Sequence, residues 1–248
     1  MRIQKNNFKK PIIYFMIIGV LFLFSGCTKL GTNSLKYEKP LSTNLPNNNK
    51  IINKPFDKVW DNLVSELATS FFVINNIDKE SRIINISFHS NTPNQFVDCG
   101  KTTRNFSFNK QTETYSYDTA ESSSFKHAGK WGPYQNLPSV LDLNRKVSLD
   151  GRINIYIAPL DENTTKISVN VKYILLINLS GTFTGYNAFG EVSQQNTPVP
   201  YSHTCSFNTN EISTENWSIE ANPSYTTCLS KGVLEKKLLN MAYKSPKH

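Results

Sequence analysis

The sequence lacks the residue patterns on which most enzymes depend. Its histidines are few and scattered along the chain: His89, His127, His203 and His248. It has no Gly-x-Ser-x-Gly nucleophile motif, no phosphate-binding glycine loop and no zinc-type histidine pair. Asp98 beside Cys99 is the only tight group of reactive side chains. We therefore predict a protein that is not an enzyme and that holds neither cofactor nor metal. An enzyme assembled from dispersed residues around Cys99 is a weaker alternative.

The chain is also poor in charge, and much of its basic excess lies at one end. Charged residues make up 19% of the sequence, and the net charge is +8 at pH 7. Half of that excess belongs to residues 1–26, which carry four basic residues and no acidic residue. Nucleic-acid binding requires a basic surface on the folded part of a protein. We therefore expect no nucleic-acid partner.

Residues 1–26 contain an apolar run that is too short to span a bilayer. The basic residues Arg2, Lys5, Lys9 and Lys10 precede an apolar stretch at 11–24. A transmembrane helix needs about 20 apolar residues. A basic start followed by a shorter apolar run is typical of a cleaved export signal. We predict that residues 1–26 are a signal peptide.

The residues Phe24-Ser25-Gly26-Cys27 resemble the lipobox of bacterial lipoproteins, although Phe24 stands where the family usually has Leu. The resemblance implies that Cys27 is lipidated and carries palmitate-type acyl chains, which anchor the protein to a lipid bilayer. Thr28 stands where an Asp would resemble an inner-membrane retention signal. We therefore expect a cell-envelope lipoprotein in the outer membrane, facing the periplasm. An ordinary secretory signal with an incidental Cys27 is the alternative.

Three further cysteines, Cys99, Cys205 and Cys228, remain after the lipidated one. An exported protein lies in a compartment that permits disulfides. Three thiols allow three single pairings, each of which leaves one thiol over. Closure entropy depends only weakly on loop length, so it does not decide among them. A structural bridge is a commoner fate for Cys99 than catalysis.

The pattern along the chain divides it into a signal peptide at 1–26, a lipidated Cys and flexible tether at 27–49, and a single α+β domain at 50–248. Pro40, Pro46 and the run Asn47-Asn48-Asn49 discourage regular structure in the tether. Apolar residues at helical spacing predict a helix at 55–70, and we assign Trp60 on it to the core. The other expected elements are strands at 50–53, 71–77, 82–88, 147–157, 166–180 and 203–210, partial alternation at 103–117, and a closing helix at 231–243.

Some segments are expected to be irregular. They lie at 89–101, 120–138 and 181–200. Asp150-Gly151 suggests a bulge or bend in the strand at 147–157. Trp131 and Tyr134, in the segment 120–138, either bind a partner or cover the edge of the core.

The predicted order is strand, helix, a run of antiparallel strands, and helix. A sheet with one wet face needs its other face covered, and a helix near each end of the chain can cover it. With Cys27 and its tether, residues 56–88 and the closing Gly232-Val233-Leu234-Glu235 segment, the chain resembles the BamC-type outer-membrane lipoproteins. The resemblance implies a helix-grip-like fold, in which a curved antiparallel sheet wraps a C-terminal helix. It also implies a role beside the machine that assembles barrel proteins.

Two functions follow as hypotheses. The first is a membrane-anchored, non-enzymatic accessory or interaction module of an envelope assembly, with other envelope proteins as partners. The second is a carrier of a small apolar ligand, because helix-grip folds often enclose a cavity. A carrier would have an apolar pocket of hundreds of Å³ between sheet and helix.

Overall fold

The computed structural model describes residues 31–41, 44–129, 138–186, 191–198, 201–216 and 225–243. The predicted signal peptide and Cys27 lie outside these residues, as do Trp131, Tyr134 and His248. Within the described ranges, no helix is long and apolar enough to cross a membrane.

The described elements follow one another mostly as strands. They are β1 (Thr32–Glu38), β2 (Asn49–Ile52), α1 (Phe56–Ala68), β3 (Val73–Asp78), β4 (Ile83–Ser90), a 3₁₀ turn (Pro93–Gln95), β5 (Val97–Asp98), β6 (Lys101–Phe108), β7 (Gln111–Asp118), β8 (Ser123–Gly129), β9 (Ser139–Pro159), β10 (Thr165–Tyr186), β11 (Val192–Pro198), β12 (Tyr201–Asn208), β13 (Ser213–Asn216), β14 (Tyr225–Ser230) and α2 (Val233–Tyr243).

The two helices form where the apolar spacing predicts them. On α1 the apolar positions lie on one side of the helix and are buried, and they include Trp60 at 4% exposure. On α2 the buried side includes Leu234 and Leu238. The helices pack against each other, α1 also against β9 and α2 also against β10. The predicted α+β class is confirmed at this level: the residues that the structure describes form mostly antiparallel sheet, with one helix in the N-terminal part and one at the C-terminal end.

A long ribbon of β9 and β10 runs through the molecule. The two strands pair from Thr165↔Pro159 to Gly185↔Ser139 without a register shift. Along β9 and most of β10, the odd-numbered residues are buried and most even-numbered ones are exposed, so one face is covered over nearly the whole length. The main sheet has the order β11-β10-β9-β4-β3, with β2 and β12 also on β10 and β8 on β9.

Two different layers cover that face, and they define two halves of the molecule. In the helical half, α1 and α2 share one core with β2, β4, β12, residues 147–157 of β9 and residues 167–177 of β10. In the strand half, a separate sheet of order β1-β6-β7 packs with β8, the start of β9 and the end of β10. The β6–β7 hairpin closes through Asn109 and Lys110, whose φ angles of 47° and 68° belong to the tight turns that join antiparallel strands.

The tether prediction is wrong for residues 32–38. They form β1, which pairs with β6 from Thr32↔Ser107 to Glu38↔Lys101. Only Leu35 and Tyr37 are apolar in this strand, so its sequence shows little alternation. Its order comes from pairing with a strand about 70 residues away, which local pattern does not reveal.

Several segments expected to be irregular are also strands. Residues 120–138 contain β8, residues 181–200 contain the end of β10 and all of β11, and residues 89–101 contain β5. The sequence pattern does not predict β14. These strands are short or rich in Ser, Thr and Asn, and pairing with a neighbour stabilises them. The bulge expected at Asp150-Gly151 is also absent, because the register of β9 with β4 and β10 is unbroken there.

Candidate functional site

Asp98 and Cys99 lie at the end of β5, just before β6, and Cys99 forms a disulfide with Cys228. The sequence allows three different disulfides among its three remaining cysteines, and the structure contains this one. Cys205 is a buried free thiol, and burial raises its pKa to about 11, with Glu215 adding to the shift. Cys99 has no free thiol, so the alternative of an enzyme with Cys99 as nucleophile is contradicted.

Asp98 and Tyr37 have structural roles beside the disulfide. Asp98 Oδ1 accepts a hydrogen bond of 2.9 Å from the Gly100 N–H, and Gly100 has a φ of +74°. Tyr37 Oη accepts from the Thr227 N–H at 2.9 Å and donates to the Cys99 carbonyl oxygen at 3.1 Å. Burial raises the Tyr37 pKa. These bonds join β1 to both sides of the disulfide.

An open cleft of about 290 Å³ lies next to the disulfide. Its charged lining residues are of both signs: Glu38, Lys39, Asp98, Lys101, Asp118 and Lys231. In the part of the chain that the structure describes, no group of three or more His, Cys, Asp or Glu residues could hold a metal ion. The cleft brings Asp98 and Cys99 together without a histidine.

The described histidines lie apart from this cleft. On β4, His89 Nδ1 lies 2.8 Å from Asp150 Oδ1, and this hydrogen bond, with a further one to Asn91, raises the His89 pKa. On β8, burial lowers the His127 pKa, and the nearby positive charge of Arg104 adds to this effect. The two rings belong to different halves, because His89 pairs with Asp150 and His127 with Leu141 on β9.

Side chains fill the space between α2 and the sheet. Leu234, Leu238 and Glu235 of α2 are all 0% exposed. Glu235 accepts hydrogen bonds from Tyr173 Oη (3.0 Å) and from Thr209 Oγ1 (2.8 Å). The cavities that we describe open elsewhere, beside the disulfide, beside Asn33 and beside Asn170. This packing gives the ligand-carrier hypothesis no support.

The edge strand β3 presents apolar side chains to solvent. In the described part of the chain β3 ends the sheet order and pairs only with β4. Val73 is 60% exposed, Ile74 38% and Ile77 37%, and the preceding Phe71 is 53% exposed. An edge strand has backbone N–H and C=O groups that no neighbouring strand satisfies. β3 therefore combines free backbone hydrogen-bonding groups with exposed apolar side chains.

An extended segment of another chain could use both features. Strand addition takes its affinity from main-chain hydrogen bonds and its specificity from alternate side chains. Val73 pairs with Ser87 and lies on the open face of the sheet, whereas Ile77 pairs with the buried Ile84 and lies on the helix-covered face. The sequence predicts a strand at 71–77 but not its exposure. Apolar residues on both faces of one short strand are the signal that could have drawn attention to it.

Comparison with known proteins gave no match to a family model, to a curated protein or to a solved structure. The role of the β3 edge therefore has to follow from its own geometry.

Proposed function

We propose that this protein is a lipid-anchored lipoprotein of the bacterial cell envelope and a non-enzymatic accessory of an envelope assembly. The lipid on Cys27 holds it to a bilayer, in the outer membrane facing the periplasm. It acts by binding another envelope protein. The observation that carries the proposal is the exposed apolar edge strand β3.

The composition of β3 supports binding over mere exposure. Edge strands that do not pair with another chain usually carry Lys, Pro or inward-pointing charges, which prevent such pairing. β3 has the sequence VINNID, with no Lys, no Pro and a single acid at its last position, Asp78. A register shift between Ile74 and Asn76 is the protective feature that it does have. β3 therefore has little protection against pairing with a strand of another chain, and a strand that binds a partner in this way needs to be accessible.

The helix-grip-like fold and the BamC-type role belong to the same proposal. The order of strand, helix, antiparallel strands and closing helix supports them, as does the packing of α2 against β10. An accessory of the barrel-assembly machine is the role that this resemblance suggests.

The test is affinity purification from host membranes in mild detergent, with the native chain, Cys27→Ala and Val73→Lys. Leu160→Lys is the matched control, because Leu160 is also an exposed apolar residue, 53% against 60% for Val73, but lies beyond β9. We expect a specific envelope protein to co-purify with the native chain and with Leu160→Lys, and to be lost with the other two variants. A clean monomer without a partner, or a partner retained by Val73→Lys, would contradict the proposal.

A further inference from the structure

The chain between Cys27 and the folded part is short. β1 begins at Thr32, so only residues 28–31 separate it from Cys27. An extended chain spans at most about 3.6 Å per residue, which places the start of β1 within about 18 Å of the Cys27 backbone. A linker of this length cannot let the protein tumble freely above a membrane.

The first residues of β1 are fixed to the strand half. Asn33 Oδ1 accepts a hydrogen bond of 2.8 Å from the Ala128 N–H, and Asn33 Nδ2 donates to the Ala128 carbonyl oxygen. The Asn33 side chain thus bonds to both backbone groups of one residue of β8. Gly31 is packed as closely, since a Cβ on it would lie 2.7 Å from Phe108 Cδ2 and would also overlap Ala128. The chain leaves the fold at a defined point.

That point lies at one end of the long ribbon. Phe108 ends β6 beside the β6–β7 turn, and Ala128 pairs with Val140, the second residue of β9. From Val140 to Pro159, β9 continues as an unbroken strand, whose path length at about 3.3 Å per residue is about 63 Å. The β9–β10 turn and the helices lie towards the other end of this path.

We propose that the β6–β7 end of the strand half faces the surface of the bilayer that holds the Cys27 lipid. The β9–β10 ribbon then carries the helical half away from that surface as a stiff spacer. This inference rests on the proposed lipidation of Cys27. The occupant of this end is the lipid headgroup surface, because the linker leaves the fold there and is too short to reach past it.

The β6–β7 turn at this end is suited to such a surface. The β6–β7 turn carries Lys110, which is exposed, and no acid. Envelope lipids include anionic headgroups that attract basic residues. The orientation also places the β3 edge well away from the bilayer, since Val73 and Asp78 reach residues 152 and 156 of β9 through β4. A partner would then bind β3 in the aqueous compartment.

The test uses the full chain, lipidated in the host and placed in vesicles of phosphatidylethanolamine and phosphatidylglycerol. Gln111→Cys and Glu162→Cys, each in a Cys205→Ser background, put a fluorophore beside the β6–β7 turn or in the β9–β10 turn. Both positions are exposed, which makes them a matched pair. A nitroxide on the lipid headgroups reports proximity by quenching. Mass spectrometry of the Cys27 peptide establishes lipidation independently.

We expect loss of fluorescence for the probe at 111 and none at 162. A long Gly-Ser insertion between Lys29 and Leu30 should reduce the quenching at 111, because a flexible linker frees the domain. Equal quenching at the two positions, stronger quenching at 162, or no effect of the insertion overturns the orientation while the anchor stands. A Cys27 peptide without lipid overturns the anchor, and the orientation with it.

Discussion

Gly151 of β9 lies directly opposite Phe88 of β4, and the Phe88 ring occupies the space that a side chain at 151 would need. Phe72 and Phe96 hold that ring in place, with ring centroids 6.3 Å and 5.3 Å from it. The glycine therefore serves close packing beneath the helices. Its conformational freedom is not used for a bulge, since the register of β9 is regular on both sides.

Gly151→Ala should destabilise the protein. Adding a methyl group to a packed core costs about 1–3 kcal/mol. Urea unfolding measures the change, and Phe88→Leu should recover part of it in the double variant, because the two residues are in direct contact. Gly129→Ala is the control, since its added Cβ would meet its nearest neighbour at an ordinary 3.6 Å. Equal unfolding midpoints for the two alanine variants would contradict this account of Gly151.

The Cys99–Cys228 disulfide should contribute strongly to stability. It joins residues 129 positions apart, and both cysteines are buried in the core of the helical half. Removing a bridge from an exported domain costs about 2–5 kcal/mol. Thermal unfolding should therefore shift downwards when a reductant is added to the native chain, and no further when it is added to the Cys99→Ser, Cys228→Ser double variant. Cys205→Ser should keep the full response to reductant, and a loss of that response would show that another pair forms the bridge.

The parts of the fold that local pattern predicts are those with a strong apolar period. The helix at 56–68, strand β4, the core of β9 and β10 and the closing helix all bury side chains at the spacing of their own element. β1, β8 and β14 do not follow this rule. Asn33 and Tyr37 order β1 through bonds to residues far along the chain, and no local window contains those partners.

Some features of the candidate site can also be predicted from local sequence, and others cannot. The strand character of β3 follows from its Val and Ile residues. Its place at the edge depends on the order of strands in the sheet, which is set by pairing between distant segments. The choice of Cys228 as the partner of Cys99 is likewise set by the fold, because β5 and β14 pair beside it. Sequence composition limits such pairings but does not select one.

The pKa values of His89 and His127 should lie on opposite sides of the ordinary histidine value of 6.5, with that of His89 raised and that of His127 lowered. The hydrogen bond to Asp150 favours protonated His89, so its contribution to stability is fully present below pH 6.5 and is lost as pH rises through its higher folded pKa. Burial disfavours protonated His127, so its penalty grows as pH falls below 6.5. Ring-proton NMR can follow both. Asp150→Asn should lower the His89 pKa and leave that of His127 unchanged, and a common shift of both would contradict the assignment.

Substitutions at the buried residues Tyr173 and Glu235 should have non-additive effects on the free energy of unfolding. Glu235 is 0% exposed and takes hydrogen bonds from three hydroxyl groups, those of Tyr173, Thr209 and Ser230. Burial and the neighbouring Glu235 both raise the Tyr173 pKa, so the phenol stays protonated and can donate. Tyr173→Phe removes one donor from a buried carboxyl group, which costs about 1–3 kcal/mol. Tyr173→Phe should therefore cost much less once Glu235→Leu has removed the carboxyl group, as measured by urea unfolding in a double-mutant cycle. Additive effects of the two substitutions would mean that the hydrogen bond does not anchor α2 to β10.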